Sequence, residues 1–261
     1  VRWLAFWTLF AVLCVGAVIL REGLICLLIL LPIWLASGAL GILFISKIGR
    51  IVSSHPALNC SLIALLPFVM LGGEAWLPQP TDQITVRRSV VIEAPASAVR
   101  PLLLEMRNIG KEEGRWNISQ DLLGVPRPLS AVVEERETGL VREAAWRGGV
   151  TFEEHIYVDT PQQMRWRFVF PNDSVARHTD RHISPDGANL RIESGGYLIE
   201  PISPDQTRLT LDTRYEATTP VNAYASLWGE LVLGDIQSNV LQIIKDRAER
   251  KPPRNTAYTV L

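Results

Sequence analysis

Hydropathy along the chain changes character near residue 79. Residues 3–20 and 23–46 contain no charged side chain, and residues 51–73 contain only His55. A hydrocarbon core of about 30 Å needs roughly 17–25 apolar residues per helix, so each run is long enough to span it. A cleaved leader is one short apolar block, not three in succession. Backbone polar groups must be paired within lipid, so the pattern predicts three transmembrane helices over 1–78. Lys47 and Arg50 lie between the second and third runs, and positive residues favour the cytoplasm. The third helix then delivers residues 79–261 to the extracytoplasmic side, with Trp76 as an interfacial anchor ahead of Pro78 and Pro80.

Beyond residue 79 the period shortens to two. Strands are predicted over 83–93, 129–135, 139–147, 150–159, 162–170, 189–202 and 208–217, separated by turn chemistry such as Gly148-Gly149, Thr160-Pro161 and Ser203-Pro204-Asp205. Ala94-Pro95-Ala96-Ser97 opens a helix whose apolar stripe is Val99, Leu102, Leu103 and Met106. Residues 108–127 and 171–188 read as long irregular connections. From Pro220 to about Arg250 the period is helical, and Pro252-Pro253 stops it. Residues 251–261 are predicted to be a disordered tail.

Charge sharpens this division. Residues 1–78 carry four basic and two acidic side chains, and the remaining 183 carry 22 basic and 25 acidic ones. A formal net charge of −1 argues against nucleic-acid binding through bulk electrostatics. Cys14, Cys26 and Cys60 all fall in the first part, so the second can build neither a disulfide framework nor a thiolate zinc site.

The segment TVRRSVVIEAPASAV, with Ile92-Glu93-Ala94-Pro95 and Val99, resembles the opening of START-like, helix-grip domains of the SRPBCC superfamily. The runs GGYLIEPI and TRLTLDTRYEAT, followed by a long helix, resemble that superfamily's last strands and closing helix. The resemblance covers about residues 83–250. It implies an α+β helix-grip domain over 79–250: a curved antiparallel sheet around a long C-terminal helix, with an apolar cavity between them. The superfamily spans lipid transport and polyketide cyclisation, so the fold does not choose the chemistry.

Alternation places Val150, Phe152, Glu154, Ile156 and Val158 on one face, with Met164, Trp166, Phe168 and Phe170 beside them on the next strand. Leu209, Leu211, Thr213 and Tyr215 share that face. Tyr224, Trp228, Leu231/Val232, Ile236, Val240 and Ile243 form a helical stripe able to cover it. The candidate ligand-binding residues are therefore Ala144, Trp146, Phe152, Glu154, Trp166, Phe168, Tyr215, Trp228 and Asp235. Glu154 and Asp235 interrupt apolar surfaces, where a carboxylate must be paired, hydrogen-bonded or protonated. Either anchors a ligand polar group, or Glu154 pairs with an inward-pointing Arg142. Segments 108–127 and 171–188 would form the gate.

Other chemistry is thin. His178 and His182 flank Asp180 with a spacing that could bind zinc on a helix, but they lie in a polar loop. Gly195-Gly196 fits a bulge or bend better than a phosphate cradle. No cofactor motif occurs, and no catalytic residue is assigned. The reading is membrane-anchored binding of a lipid or other apolar small molecule, with membrane lipids as neighbours. A cyclase or dehydratase on the same fold and a non-catalytic partner-binding protein are the alternatives.

Overall fold

A computed structural model describes residues 78–171, 174, 175 and 184–249, with a few helical positions between 31 and 43. The three predicted membrane helices lie almost wholly outside the described residues, as do the cysteines, the His178–His182 stretch and the 251–261 tail. Among the described residues no helix is long and apolar enough to cross a membrane. The chain divides into two compact units, Val1–Pro80 and Thr81–Leu261.

The second unit begins with β1 (Thr81–Ile92), α1 (Ala96–Leu104) and a short β2 (Glu105–Met106). A π-helical turn (Ile118–Leu122) precedes β3 (Pro128–Arg136), β4 (Gly139–Trp146), β5 (Val150–Asp159) and β6 (Gln163–Val169). Then come β7 (Leu190–Ser203), β8 (Gln206–Thr218) and the long α2 (Asn222–Ala248). The strands form one antiparallel sheet in the order β1-β8-β7-β6-β5-β4-β3-β2. Tight turns set its registers: Ser203 pairs with Gln206 across Pro204-Asp205, and Arg136 pairs with Gly139 across Glu137-Thr138. A curved antiparallel sheet with a closing C-terminal helix is the helix-grip arrangement that the resemblance implies.

The core sits between the C-terminal half of α2, α1 and the inner faces of β6–β8. Ile92, Val99, Leu103, Met164, Trp166, Ile199, Leu209 and Ile244 are essentially without exposure there. Each large side chain so buried contributes roughly 1.5–3 kcal/mol. The predicted stripe on α2 is met only in part. Ile243 is buried and Val240 packs against the core, but Tyr224, Trp228, Leu231, Val232 and Ile236 are only half-buried, and a further face of Gly234, Gln237, Leu241 and Ile244 is buried. Polar anchoring selects this face: the Gln237 amide donates to the Val86 carbonyl (3.1 Å) and to Thr213 Oγ1 (3.0 Å).

A bulge corrects a second expectation. Ile156 pairs with Trp166 but Val158 pairs with Arg165, so Tyr157 is an extra residue and the alternation reverses. Val158 therefore leaves the inner face, and Asp159 takes the position opposite Met164 and reaches Arg100 at 2.6 Å. In β7 the extra residue is Glu193, just before the predicted Gly195-Gly196 bend. Gly195 serves a packing role, since a Cβ there would sit 2.8 Å from the Trp166 ring.

Candidate functional site: an aromatic wall beside a sheet opening

The inner face of β4–β6 is built from cross-strand neighbours. Arg142 lies opposite Glu154, Ala144 opposite Phe152, Glu154 opposite Phe168, and Ile156 opposite Trp166. Because antiparallel partners share a face, this brings large rings together without any loop to hold them. Ring centroids are 5.6 Å apart for Trp146–Phe152, 5.9 Å for Phe152–Phe168, 6.0 Å for Phe152–Phe170 and 5.2 Å for Trp166–Tyr197. Trp166 and Tyr197 are buried, whereas Trp146, Phe152, Phe168 and Phe170 are half-buried. The reason is the position of α2, which packs on β1 and β8, on α1 and on the π-helical turn. Among the described residues it makes no comparable packing with β4, β5 or β6.

Glu154 does not hang free on this wall. The Arg142 guanidinium donates from Nε to Glu154 Oε2 and from Nη1 to the Leu103 carbonyl. Both side chains are buried, and the guanidinium lies 4.7 Å from the Trp166 ring centre and 5.5 Å from that of Tyr197. Burial opposes the charge on Arg142, but the Glu154 carboxylate and Tyr197 together outweigh it, so the guanidinium is held more firmly protonated than usual. Burial raises the Tyr197 phenol, and the Glu154 charge adds to this while Arg142 opposes it. The pair supplies its own hydrogen bonds, and removing one member would strand the other.

Asp235 is also occupied. Its Oδ2 accepts from the Ser119 amide (2.9 Å) and hydroxyl (2.7 Å), tying the π-helical turn to α2. Asn239 Oδ1 accepts from the Arg115 amide at 2.9 Å, and Arg127 bonds Asp121 at 2.6 Å. Gly114 makes this approach possible, with φ at +88° and space for a Cβ already taken by Asn239 Oδ1. Arg247 bonds Glu113 at 2.6 Å. The 108–127 segment, expected to be a gate, is therefore pinned along α2. Its turn is inside out: Asn117, Ser119 and Gln120 are buried, while Trp116, Ile118 and Leu122 are 55%, 41% and 71% exposed.

Where β6 and β7 part, the sheet opens. Their pairing runs from Gln163–Leu198 to Arg167–Ser194, and β6 then continues to Val169 without β7. A recess of about 630 Å³ occupies the gap, floored by Phe168, Phe170 and Ile192 and rimmed by Arg167, Ser194 and Arg214 among others. A second, smaller recess of about 360 Å³ lies at Ile109, Leu129 and Val132.

Of the residues the sequence singled out, the structure gathers Ala144, Trp146, Phe152, Glu154, Trp166 and Phe168 on one wall, and only Phe168 also lines the larger recess. Tyr215 packs apart from them, with Val86 and Ala217. Trp228 stacks edge-on with Tyr224 at 6.4 Å, and Asp235 belongs to the pinned turn. Tyr197, Ile192, Ser194 and Arg214 were missed because a bulge and a sheet opening bring them into place, and neither has a periodic signature. Among the described residues no group of three or more His, Cys, Asp or Glu could hold a metal ion.

No protein-family model matches the chain, and no curated protein matches it. Solved structures do. The Zhui aromatase/cyclase of a Streptomyces species aligns at 16% identity over 65% of this chain and 95% of that one, with a TM-score of 0.40. Truncated norcoclaurine synthase from Thalictrum flavum aligns at 9% identity over 63% and 94%, with a TM-score of 0.37. The di-domain ARO/CYC BexL aligns at 16% identity over 79% of this chain and 61% of that one, with a TM-score of 0.40. The functional reading rests on the chain's own residues.

Proposed function

We propose that the 81–249 unit binds an apolar small molecule against the aromatic inner face of β4–β6, entering where β6 and β7 part. The observation that carries this reading is the recess of about 630 Å³ opening onto Phe168 and Phe170, which continue into Phe152 and Trp146. Such a volume lies within the usual range for small-molecule sites, and half-buried rings on a concave face are the surface an apolar ligand dehydrates. The three uncharged N-terminal runs support placing this site beside a bilayer, where a lipid-derived ligand is concentrated. Turnover of a cyclase or dehydratase kind requires an available acid or base. The carboxylate on this wall, Glu154, is bound to Arg142, which favours binding over chemistry.

Native mass spectrometry of the purified full chain tests the reading. An apolar adduct is expected on the wild type, and Phe152→Ala with Phe168→Ala should remove most of it while thermal unfolding stays cooperative. An adduct retained at wild-type occupancy in that double variant places the ligand elsewhere.

A further inference from the structure

The outer face of the sheet carries charge in cross-strand rows, and some of its arginines are ion-paired. Arg165 bonds Asp212 at 2.6 Å, and Arg136 bonds Glu153 at 2.9 Å. One row does not. His155, Arg167, Ser194 and Arg214 are successive partners across β5, β6, β7 and β8, with no carboxylate among them. His155 is engaged by Glu153 at 2.8 Å. Arg167 and Arg214 are exposed and make no ion pair among the described residues; Arg167 lies over the Tyr157 ring instead. With adjacent strands about 4.8 Å apart, their Cα atoms stand roughly 10 Å from each other across small Ser194, a span that two long side chains close around one anion.

This row forms part of the rim of the recess floored by Phe168, Phe170 and Ile192. The rim also holds Arg191, Asp186 and Glu193. Arg191 faces Glu216 across the sheet and Asp186 across a bridge, and Asp186 accepts from Ser184 at 2.8 Å. Glu193 is the half-buried bulge residue. None of these three makes an ion pair among the described residues, so the rim holds three arginines against two carboxylates, and Arg167 and Arg214 are the two aligned across Ser194.

We infer that the recess selects an anionic amphiphile, a long-chain carboxylate or a phosphate monoester of a long-chain alcohol. Its head is clamped by Arg167 and Arg214 with the Ser194 hydroxyl, and its tail lies on the phenylalanines. This rests on the apolar-binding reading above and adds the charge of the ligand.

Photoreactive diazirine palmitate and the matching diazirine hexadecanol, applied to the full chain at equal concentration, separate the two claims. The acid should label residues 157–170 and 190–198 at least about ten-fold more than the alcohol, the effect expected for a charge-assisted contact. Arg167→Gln with Arg214→Gln should bring the acid down to the alcohol's level without changing the alcohol. Arg167→Lys with Arg214→Lys should restore much of the preference. Equal labelling by acid and alcohol overturns the charge selection while the apolar site stands; no labelling of these segments by either overturns both. Should the Gln variant instead lose co-sedimentation with phosphatidylglycerol vesicles while keeping its acid labelling, the arginines serve a membrane surface and the inference fails.

Discussion

The concave face of the sheet has two halves that obey different rules. Under α2, the inner residues of β1 and β8 meet a helix, and Leu209 and Val86 are fully buried. On β5 and from the end of β6 onward, past the buried Met164 and Trp166, large side chains occupy equivalent inward positions, yet Phe152, Phe168 and Phe170 remain half-buried. Side-chain size and hydropathy would put the better core on β4–β6. What differs is the covering element: Gln237 fastens α2 over Val86 and Thr213, at the β1–β8 edge, while Asp235 and Asn239 of the same helix hold the 108–127 segment. An apolar surface built by the sheet and left short of cover is what distinguishes a ligand wall from a filled core.

The contrast breaks most severely at Glu154. Replacing it with Ala leaves the Arg142 charge buried beside Trp166 without its partner, and should cost about 3–5 kcal/mol in urea unfolding. Losing both partners together, as in Arg142→Met with Glu154→Leu, should cost much less. A double variant as unstable as the single one would deny that the pair's charge balance matters.

Next in size is a matched pair of truncations. Leu209→Ala, in the filled half, should destabilise by roughly 2–5 kcal/mol, whereas Phe152→Ala, though it removes more atoms, should cost no more than about 2 kcal/mol. Chemical denaturation of both variants sharpens the comparison directly; equal losses would mean that the β4–β6 wall is packed as tightly as the rest.

Asp235→Ala tests whether the pinned turn bounds the wall. Ser119 is fully buried, and losing its acceptor strands the amide and hydroxyl at a cost of about 1–3 kcal/mol. Amide exchange over residues 115–123 should accelerate, while exchange in β7 and β8 should not.

The smallest effect is a pH dependence at the same segment. Burial pushes the Glu113 carboxyl up, but hydrogen bonds from Arg247 and the Gly110 amide outweigh it and hold it below the ordinary carboxylate range. A depressed carboxylate stabilises fully above its unfolded pKa, and that contribution fades as pH falls through the folded value. Stability should therefore decline in acid below about pH 4, with a part of the slope missing in Glu113→Gln. An unchanged slope would remove Glu113 from the acid response.

How far the sequence reached follows from the same physics. Period-two alternation located seven of the strands because inward and outward positions differ in polarity over their whole length. Glu154 and Arg142 were legible as a pair because both broke an apolar pattern on adjacent strands. Asp235 broke a pattern too, but its acceptor role depends on Ser119, 116 residues away, and nothing local encodes that. The two-residue β2, the Tyr157 and Glu193 bulges and the parting of β6 from β7 were invisible for a related reason: each adds a residue or ends a pairing without changing composition. The stripe on α2 was only partly legible: Ile243 is buried as its pattern implies, but polar Gln237 fixes a further buried face that apolar periodicity does not mark.

The division of the concave face is tested most directly by carbene footprinting of the full chain with a small uncharged apolar diazirine. The account predicts labelling concentrated on residues 139–170, above all at Phe152, Phe168 and Phe170, with residues 206–218 and 237–248 nearly unlabelled. Labelling spread evenly over both halves, or strongest beneath α2, would contradict it.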